Sequence, residues 1–151
     1  MGLFSRKKGA EAPKEAEPRK STVLIVDDDI TIADLNQAVF EGRAWRVVTA
    51  YDGLGALRSL NEEKPDLVLL DLMLPDVPGE RVLESITKAR LPSKVIVVTG
   101  RFVTYKDFEA YRGTVLTVLR KPYEMKTLQR LIDSFEAGTE IPTNMSSVGD
   151  V

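Results

Sequence analysis

The chain has 151 residues, 43% of them apolar and 29% charged, the profile of a single globular domain with a substantial core. It contains neither cysteine nor histidine, which excludes disulfides, cysteine-ligated metals and serine–histidine catalysis, and disfavours zinc. The net charge of −2 divides into +3 over residues 1–20, from six basic and three acidic side chains, and −5 beyond, a poor match to nucleic acid.

Residues 1–20 are rich in Ala, Glu, Lys and Pro and offer too little apolar surface to offset the entropy of ordering. They read as a flexible basic N-terminal tail. Met1 to Arg6 lack the apolar core of a secretory signal, and no run approaches the ~20 residues of a membrane span. A cytoplasmic protein is expected.

A strand at about 22–26 ends in Asp27, Asp28 and Asp29. Asp29 reads as the N-cap of a helix with Ile32, Leu35 and Val39 at helical spacing. A strand at 46–50 precedes a helix bearing Leu54, Leu57 and Leu60. The run at 66–70 ends at Asp71 and is followed by Leu72, Met73, Leu74, Pro75 and Gly79, then by a helix with Val82, Leu83 and Ile86. Residues 94–98 run into Thr99 and Gly100, and a weak helical signal covers 104–111. The strand at 115–119 ends at Arg120, Lys121 and Pro122, before a helix striped with Leu128, Leu131, Ile132 and Phe135. Residues 138–151 read as a flexible C-terminal tail, too short for a DNA-binding module.

Continuous apolar runs are what strands show when helices cover both sheet faces. Five βα units over residues 21–137 therefore predict a doubly wound α/β domain with a five-stranded parallel sheet and five helices. In open parallel sheets, residues at the carboxyl ends of strands face the ligand crevice. Acids, a hydroxyl and an ammonium all fall at such ends. Any metal among them would be a hard, oxygen-liganded cation such as Mg²⁺.

Asp27–Asp28, Asp71, Thr99–Gly100 and Lys121–Pro122, in this order, resemble the signature of response-regulator receiver domains, the phosphoacceptor partners of sensor histidine kinases. The resemblance covers about residues 22–136 and implies a flavodoxin-like strand order, 2-1-3-4-5. It implies Asp71 as phosphoacceptor, and Mg²⁺ held by Asp27, Asp28, Asp71 and the backbone carbonyl of Met73. Thr99, Gly100 and Lys121 would bind the phosphoryl oxygens, and the Lys121–Pro122 peptide would be cis. A carboxylate is already anionic and needs no general base, so the donor histidine can belong to the partner.

The expected protein is a stand-alone response regulator of a two-component phosphorelay. Its partners would be a sensor histidine kinase or phosphotransfer protein and an unidentified downstream protein, with no direct nucleic-acid contact, as a monomer or weak homodimer. It would not be an enzyme beyond its own phosphotransfer and dephosphorylation. One position departs from the family pattern: Val118 stands where many receivers carry the aromatic that moves with the threonine. Met73 and Arg101 would flank the approach of hydrolytic water, and an apolar Met73 would lengthen the phosphoryl lifetime. Two rivals are a receiver-like binding module independent of phosphorylation, and a haloacid-dehalogenase-like phosphatase with Asp27 as nucleophile and Asp29 as acid/base. The phosphatase leaves the Asp71 motif unexplained and lacks a late acidic pair.

Overall fold

The computed structural model describes residues 20–146. In chain order these form β1 (Ser21–Val26), α1 (Ile30–Val39), β2 (Trp45–Ala50), α2 (Gly53–Glu63), β3 (Leu67–Asp71) and α3 (Gly79–Lys88). They continue with β4 (Lys94–Thr99), a 3₁₀ helix (Tyr105–Tyr111), β5 (Val115–Arg120), α4 (Met125–Ala137) and β6 (Asn144–Ser146). The basic leader lies outside the described residues, apart from Lys20.

The strands form one parallel sheet in the order β2-β1-β3-β4-β5-β6. Its first five members follow the expected 2-1-3-4-5 order. Their side chains alternate between two cores, which is why the runs are apolar throughout. Leu24, Val26, Val68, Leu70, Val95 and Val97 meet Ala56, Leu60, Val82, Leu83 and Ile86 of α2 and α3. Val23, Ile25, Leu67, Leu69, Ile96 and Val98 meet Ala33, Val39, Leu128, Leu131 and Ile132 of α1 and α4.

Three expectations are corrected. The stripe on α1 is rotated: Leu35 is exposed, and Ala33, Asn36 and Val39 are buried. Asn36 can be buried because its side-chain oxygen accepts the Tyr123 hydroxyl at 2.5 Å. The fourth helical segment is a 3₁₀ helix, opened by a capping box between Thr104 and Asp107 and broken by non-helical dihedrals at Phe108. Third, the segment taken for a loose C-terminal tail contributes β6, with Asn144, Met145 and Ser146 in register with Val118, Leu119 and Arg120. Three residues with a single apolar side chain are too short a run to give a strand signal; the open edge of β5 supplies the pairing partners.

Candidate functional site

At the carboxyl edge of the sheet, β1 delivers Asp27 and Asp28 and the adjacent β3 ends on Asp71. One carboxylate oxygen from each lies within 4.8 Å of the others. Asp27 and Asp71 are buried, at 1% and 4% exposure, whereas Asp28 is open to solvent. Lys121 reaches in from the end of β5. Its Nζ donates to Asp27 Oδ2 at 2.9 Å and to Asp71 Oδ2 at 3.1 Å. Each acid's other oxygen accepts a backbone N–H two residues on: Asp29 to Asp27 Oδ1 at 2.9 Å, and Met73 to Asp71 Oδ1 at 3.1 Å.

Burial pushes the Asp27 carboxyl above its ordinary range, and the Asp71 charge adds to this; the Asp29 N–H and Lys121 oppose it. For Lys121, burial acts to lower the pKa, but the hydrogen bonds and charges of Asp27 and Asp71 outweigh it and hold the ammonium above its usual value. When ionised, three acids and one ammonium carry −2, the charge a divalent cation neutralises. The donors are all oxygen and one acid faces solvent, which suits a Mg²⁺ that keeps several waters. Lys121 already places a cation between the two buried acids. The residues present therefore fit the ion.

Thr99 ends β4 fully buried, with its hydroxyl oxygen accepting the Arg101 N–H at 3.1 Å. Its carbonyl accepts the Lys121 N–H at 2.8 Å, which ties the two strand ends together. Gly100 borders open space, and a Cβ there would meet nothing within 4 Å. The Lys121–Pro122 peptide is cis. Met73 has an exposed side chain beside Asp71. Asp29 caps α1, its Oδ1 accepting from Thr31 N at 2.9 Å and Ile32 N at 3.3 Å. That engagement turns it toward the helix and away from the acid/base role of the phosphatase alternative. Val118 is buried at 3% exposure, with no aromatic at its position to swing.

Several neighbours escaped the sequence reading. Arg101 pairs with Glu80 at the start of α3 at 2.5 Å, and the carboxylate of Asp76 seats on the first amides of α2. Beside Lys121, a groove of about 350 Å³ between α1 and the loop into α4 is lined by Ile32, Leu35, Asn36, Pro122, Tyr123 and Met125. Only the Pro75–Pro78 turn hinted at Asp76, since an acid in such a loop often bonds nearby amides.

A doubly wound sheet carrying three acids and a lysine at the carboxyl ends of β1, β3 and β5 is the arrangement of a receiver-type signalling domain. The chain belongs to the response regulator receiver domain family, which matches residues 23–133. It is 29% identical over 129 residues to the alkaline phosphatase synthesis transcriptional regulatory protein PhoP of Bacillus subtilis, covering 83% of this chain and 52% of that one. It is 30% identical over 133 residues to the DNA-binding response regulator MtrA of Mycolicibacterium smegmatis, covering 87% and 58%. The chain thus spans little more than half the length of these two relatives. Among solved structures, a CheY-like response regulator receiver domain protein from Methanospirillum hungatei superposes with a TM-score of 0.71 at 28% identity, covering 80% of this chain and 96% of that one. The receiver domain of a LuxO repressor protein from Vibrio parahaemolyticus gives 0.69 at 26%, covering 76% and 88%. Membership makes this a receiver domain of the two-component type. Among the described residues no helix is long and apolar enough to cross a membrane.

Proposed function

We propose that Asp71 accepts a phosphoryl group from a phosphohistidine on a partner kinase or phosphotransfer protein, and that the acyl phosphate switches binding to a downstream protein. An Asp71 carboxylate oxygen attacks phosphorus, the phosphorus–nitrogen bond of the donor breaks, and the departing imidazole takes its proton from solvent. Asp27, Asp28, Asp71 and the Met73 carbonyl are the groups assigned to Mg²⁺, which when bound neutralises charge on the transferring phosphoryl oxygens. Lys121, already turned toward Asp71, follows the phosphoryl group as a point charge. Thr99 gives its hydroxyl hydrogen to a second oxygen, and Gly100 leaves space beside it. Arg101 and Met73 border the path of hydrolytic water, and Met73→Asn shortens the phosphoryl lifetime in this reading.

The observation that carries the proposal is the Lys121 ammonium shared by two buried carboxylates at the ends of β1 and β3. A buried ion cluster is costly to maintain and gives little stability in return, so its presence at a ligand crevice favours a chemical role. Protein binding is the output assigned to residues 20–146. The DNA contact named for MtrA is not assigned to them, since residues 21–151 carry −5.

Incubation with acetyl phosphate and Mg²⁺ tests the reading. Intact-mass analysis is expected to show one added phosphoryl group, removed by hydroxylamine and absent from Asp71→Asn. Labelling that persists in Asp71→Asn moves the acceptor elsewhere. Absence of labelling in the wild type leaves a binding module independent of phosphorylation.

A further inference from the structure

Asp76 lies outside the acidic cluster, in the loop from β3 to α3, and it joins that loop to a different helix. Its Oδ1 accepts the N–H of Gly53 at 2.7 Å and of Val77 at 2.8 Å, and its Oδ2 accepts the N–H of Leu54 at 2.8 Å. Gly53 and Leu54 open α2, where backbone amides have no partner within the helix. The helix also has a cap of its own: Asp52 takes the Gly55 N–H at 2.7 Å. Two acids from two loops thus share the first amides of one helix. The bond from Leu54, with those from Gly53 and Val77, holds the exposed Asp76 carboxyl below its ordinary range.

The approach is close enough to restrict residue choice. A Cβ on Gly53 would lie 2.1 Å from Val77 Cγ2 and 3.1 Å from the Val77 carbonyl oxygen. At the far end of the loop the Gly79 N–H bonds the Leu72 carbonyl at 2.9 Å. At its near end the Met73 N–H bonds Asp71 Oδ1 at 3.1 Å. Between these two points the Asp76 side chain fastens the loop to the neighbouring βα unit.

We infer that Asp76 is a positioning residue for the cation site: by pinning the β3–α3 loop to α2, it fixes the backbone of Met73 beside Asp71. This rests on the assignment of the Met73 carbonyl and the acids to Mg²⁺ under the proposed function. Asp76 meets no phosphoryl group. It acts by limiting how far the loop opens, so that the carbonyl and the Met73 N–H are in place before the ion arrives. A single hydrogen-bonded support behind a metal ligand commonly changes affinity by about tenfold or more.

Calorimetric titration with Mg²⁺, which needs no phosphodonor, tests this on the full chain. Asp76→Ala is expected to weaken Mg²⁺ about tenfold, at the lower end of supporting-residue effects. Asp76→Asn keeps one acceptor for Gly53 and Val77 but turns an amide toward the Leu54 N–H, and is expected to fall between Ala and wild type. Asp52→Ala removes the helix's own cap without touching the loop; it is expected to lower the melting temperature and leave Mg²⁺ affinity unchanged. Wild-type affinity in both Asp76 variants, whatever their melting temperatures, overturns the inference and leaves Asp76 a helix cap. Equal weakening in Asp52→Ala also overturns it, because general loosening of α2 would then explain the result. A wild type that takes up no Mg²⁺ removes the metal reading beneath it and this inference together. Should Asp76→Ala fail to fold, Asp76→Asn alone decides the outcome.

Discussion

Phe102 is 84% exposed, yet the guanidinium carbon of Arg120 lies 3.5 Å from the centre of its ring. The two residues connect both strand ends at the site. Arg120 pairs with Thr99 across β4 and β5 and precedes Lys121, while Phe102 follows the Arg101 whose N–H bonds the Thr99 hydroxyl. Phosphorylation of Asp71, as proposed above, redirects that hydroxyl to a phosphoryl oxygen and releases the Arg101 N–H. A cation–π contact at an exposed site is worth only ~0.5–1 kcal/mol, so a small shift of this loop is enough to break it. With Val118 at the usual aromatic position, the Phe102–Arg120 stack is the aromatic contact closest in sequence to the threonine. A Phe102→Trp variant is therefore expected to change its fluorescence on adding beryllofluoride and Mg²⁺ by more than the wild type, whose one tryptophan is Trp45. Adding Thr99→Val should abolish the change. An unresponsive Phe102→Trp means that the loop does not follow the site.

Stability and cation binding oppose one another at Asp27. An unfolded Asp ionises near 3.8, and burial raises the folded value above this. Between the two values the folded chain holds more protons, so Asp27's stabilising contribution, full below 3.8, is lost as pH rises through the folded value. Lys121 behaves likewise at the alkaline end: its folded pKa lies above 10.5, and its contribution persists below that value and is lost above the folded one. At neutral pH the ionised Asp27 is therefore a net cost in metal-free protein. Asp27→Asn, which removes the charge that burial disfavours, is expected to raise stability in EDTA. Wild type should gain ~2.7 kcal/mol at Mg²⁺ a hundredfold above its dissociation constant, and the variant much less. Urea unfolding with and without Mg²⁺ measures both, and an Asp27→Asn that is less stable in EDTA and equally responsive to Mg²⁺ contradicts them.

Gly79 marks where the fold leaves no room. A Cβ there would lie 2.7 Å from both the Asp71 carbonyl oxygen and Leu72 Cα. Both are backbone atoms, so neither can turn aside. In a helix interior alanine is favoured over glycine by ~1 kcal/mol, and less at the first position of α3. Overpacking against backbone costs ~1–3 kcal/mol, so the clash prevails. Gly79→Ala is expected to lower the urea midpoint and to slow labelling of Asp71, since the crowded carbonyl belongs to the proposed phosphoacceptor. An unchanged midpoint refutes this.

The strand ends were legible because β1, β3 and β4 are covered on both faces, so apolar runs stop where the acids and Thr99 begin. Parallel order puts these residues at one edge of the sheet, while the strand order that makes β1 and β3 neighbours came from the family resemblance. What stayed hidden depends on partners distant in sequence. Asn36 is buried for the sake of Tyr123, 87 positions away, and its burial turns Leu35 outward. Periodicity records only where apolar residues recur, so it favoured Leu35. Asp76 reaches a helix 22 or 23 positions earlier through backbone amides, which have no side-chain signature. β6 takes its register from the edge of β5, and the 3₁₀ helix owes its form to a local capping box and a kink at Phe108.

Thr99 and Thr117 share a residue type and full burial, and should respond to the same substitution with opposite signs. The Thr99 hydroxyl accepts the Arg101 N–H, whereas the Thr117 hydroxyl has no partner among the described residues. Thr117 pairs with Ile96 immediately after the register shift between β4 and β5, which leaves its Oγ1 within the core. A buried polar group left unsatisfied costs about 1–3 kcal/mol, and valine replaces the hydroxyl by a methyl of similar size. Thr117→Val is therefore expected to stabilise the protein by about 1 kcal/mol and to raise the melting temperature by about 3 °C. Thr99→Val orphans the Arg101 N–H and is expected to destabilise by about 1 kcal/mol. Calorimetric melting of the two variants side by side decides it: two changes of the same sign would mean that one hydroxyl finds a different partner in solution.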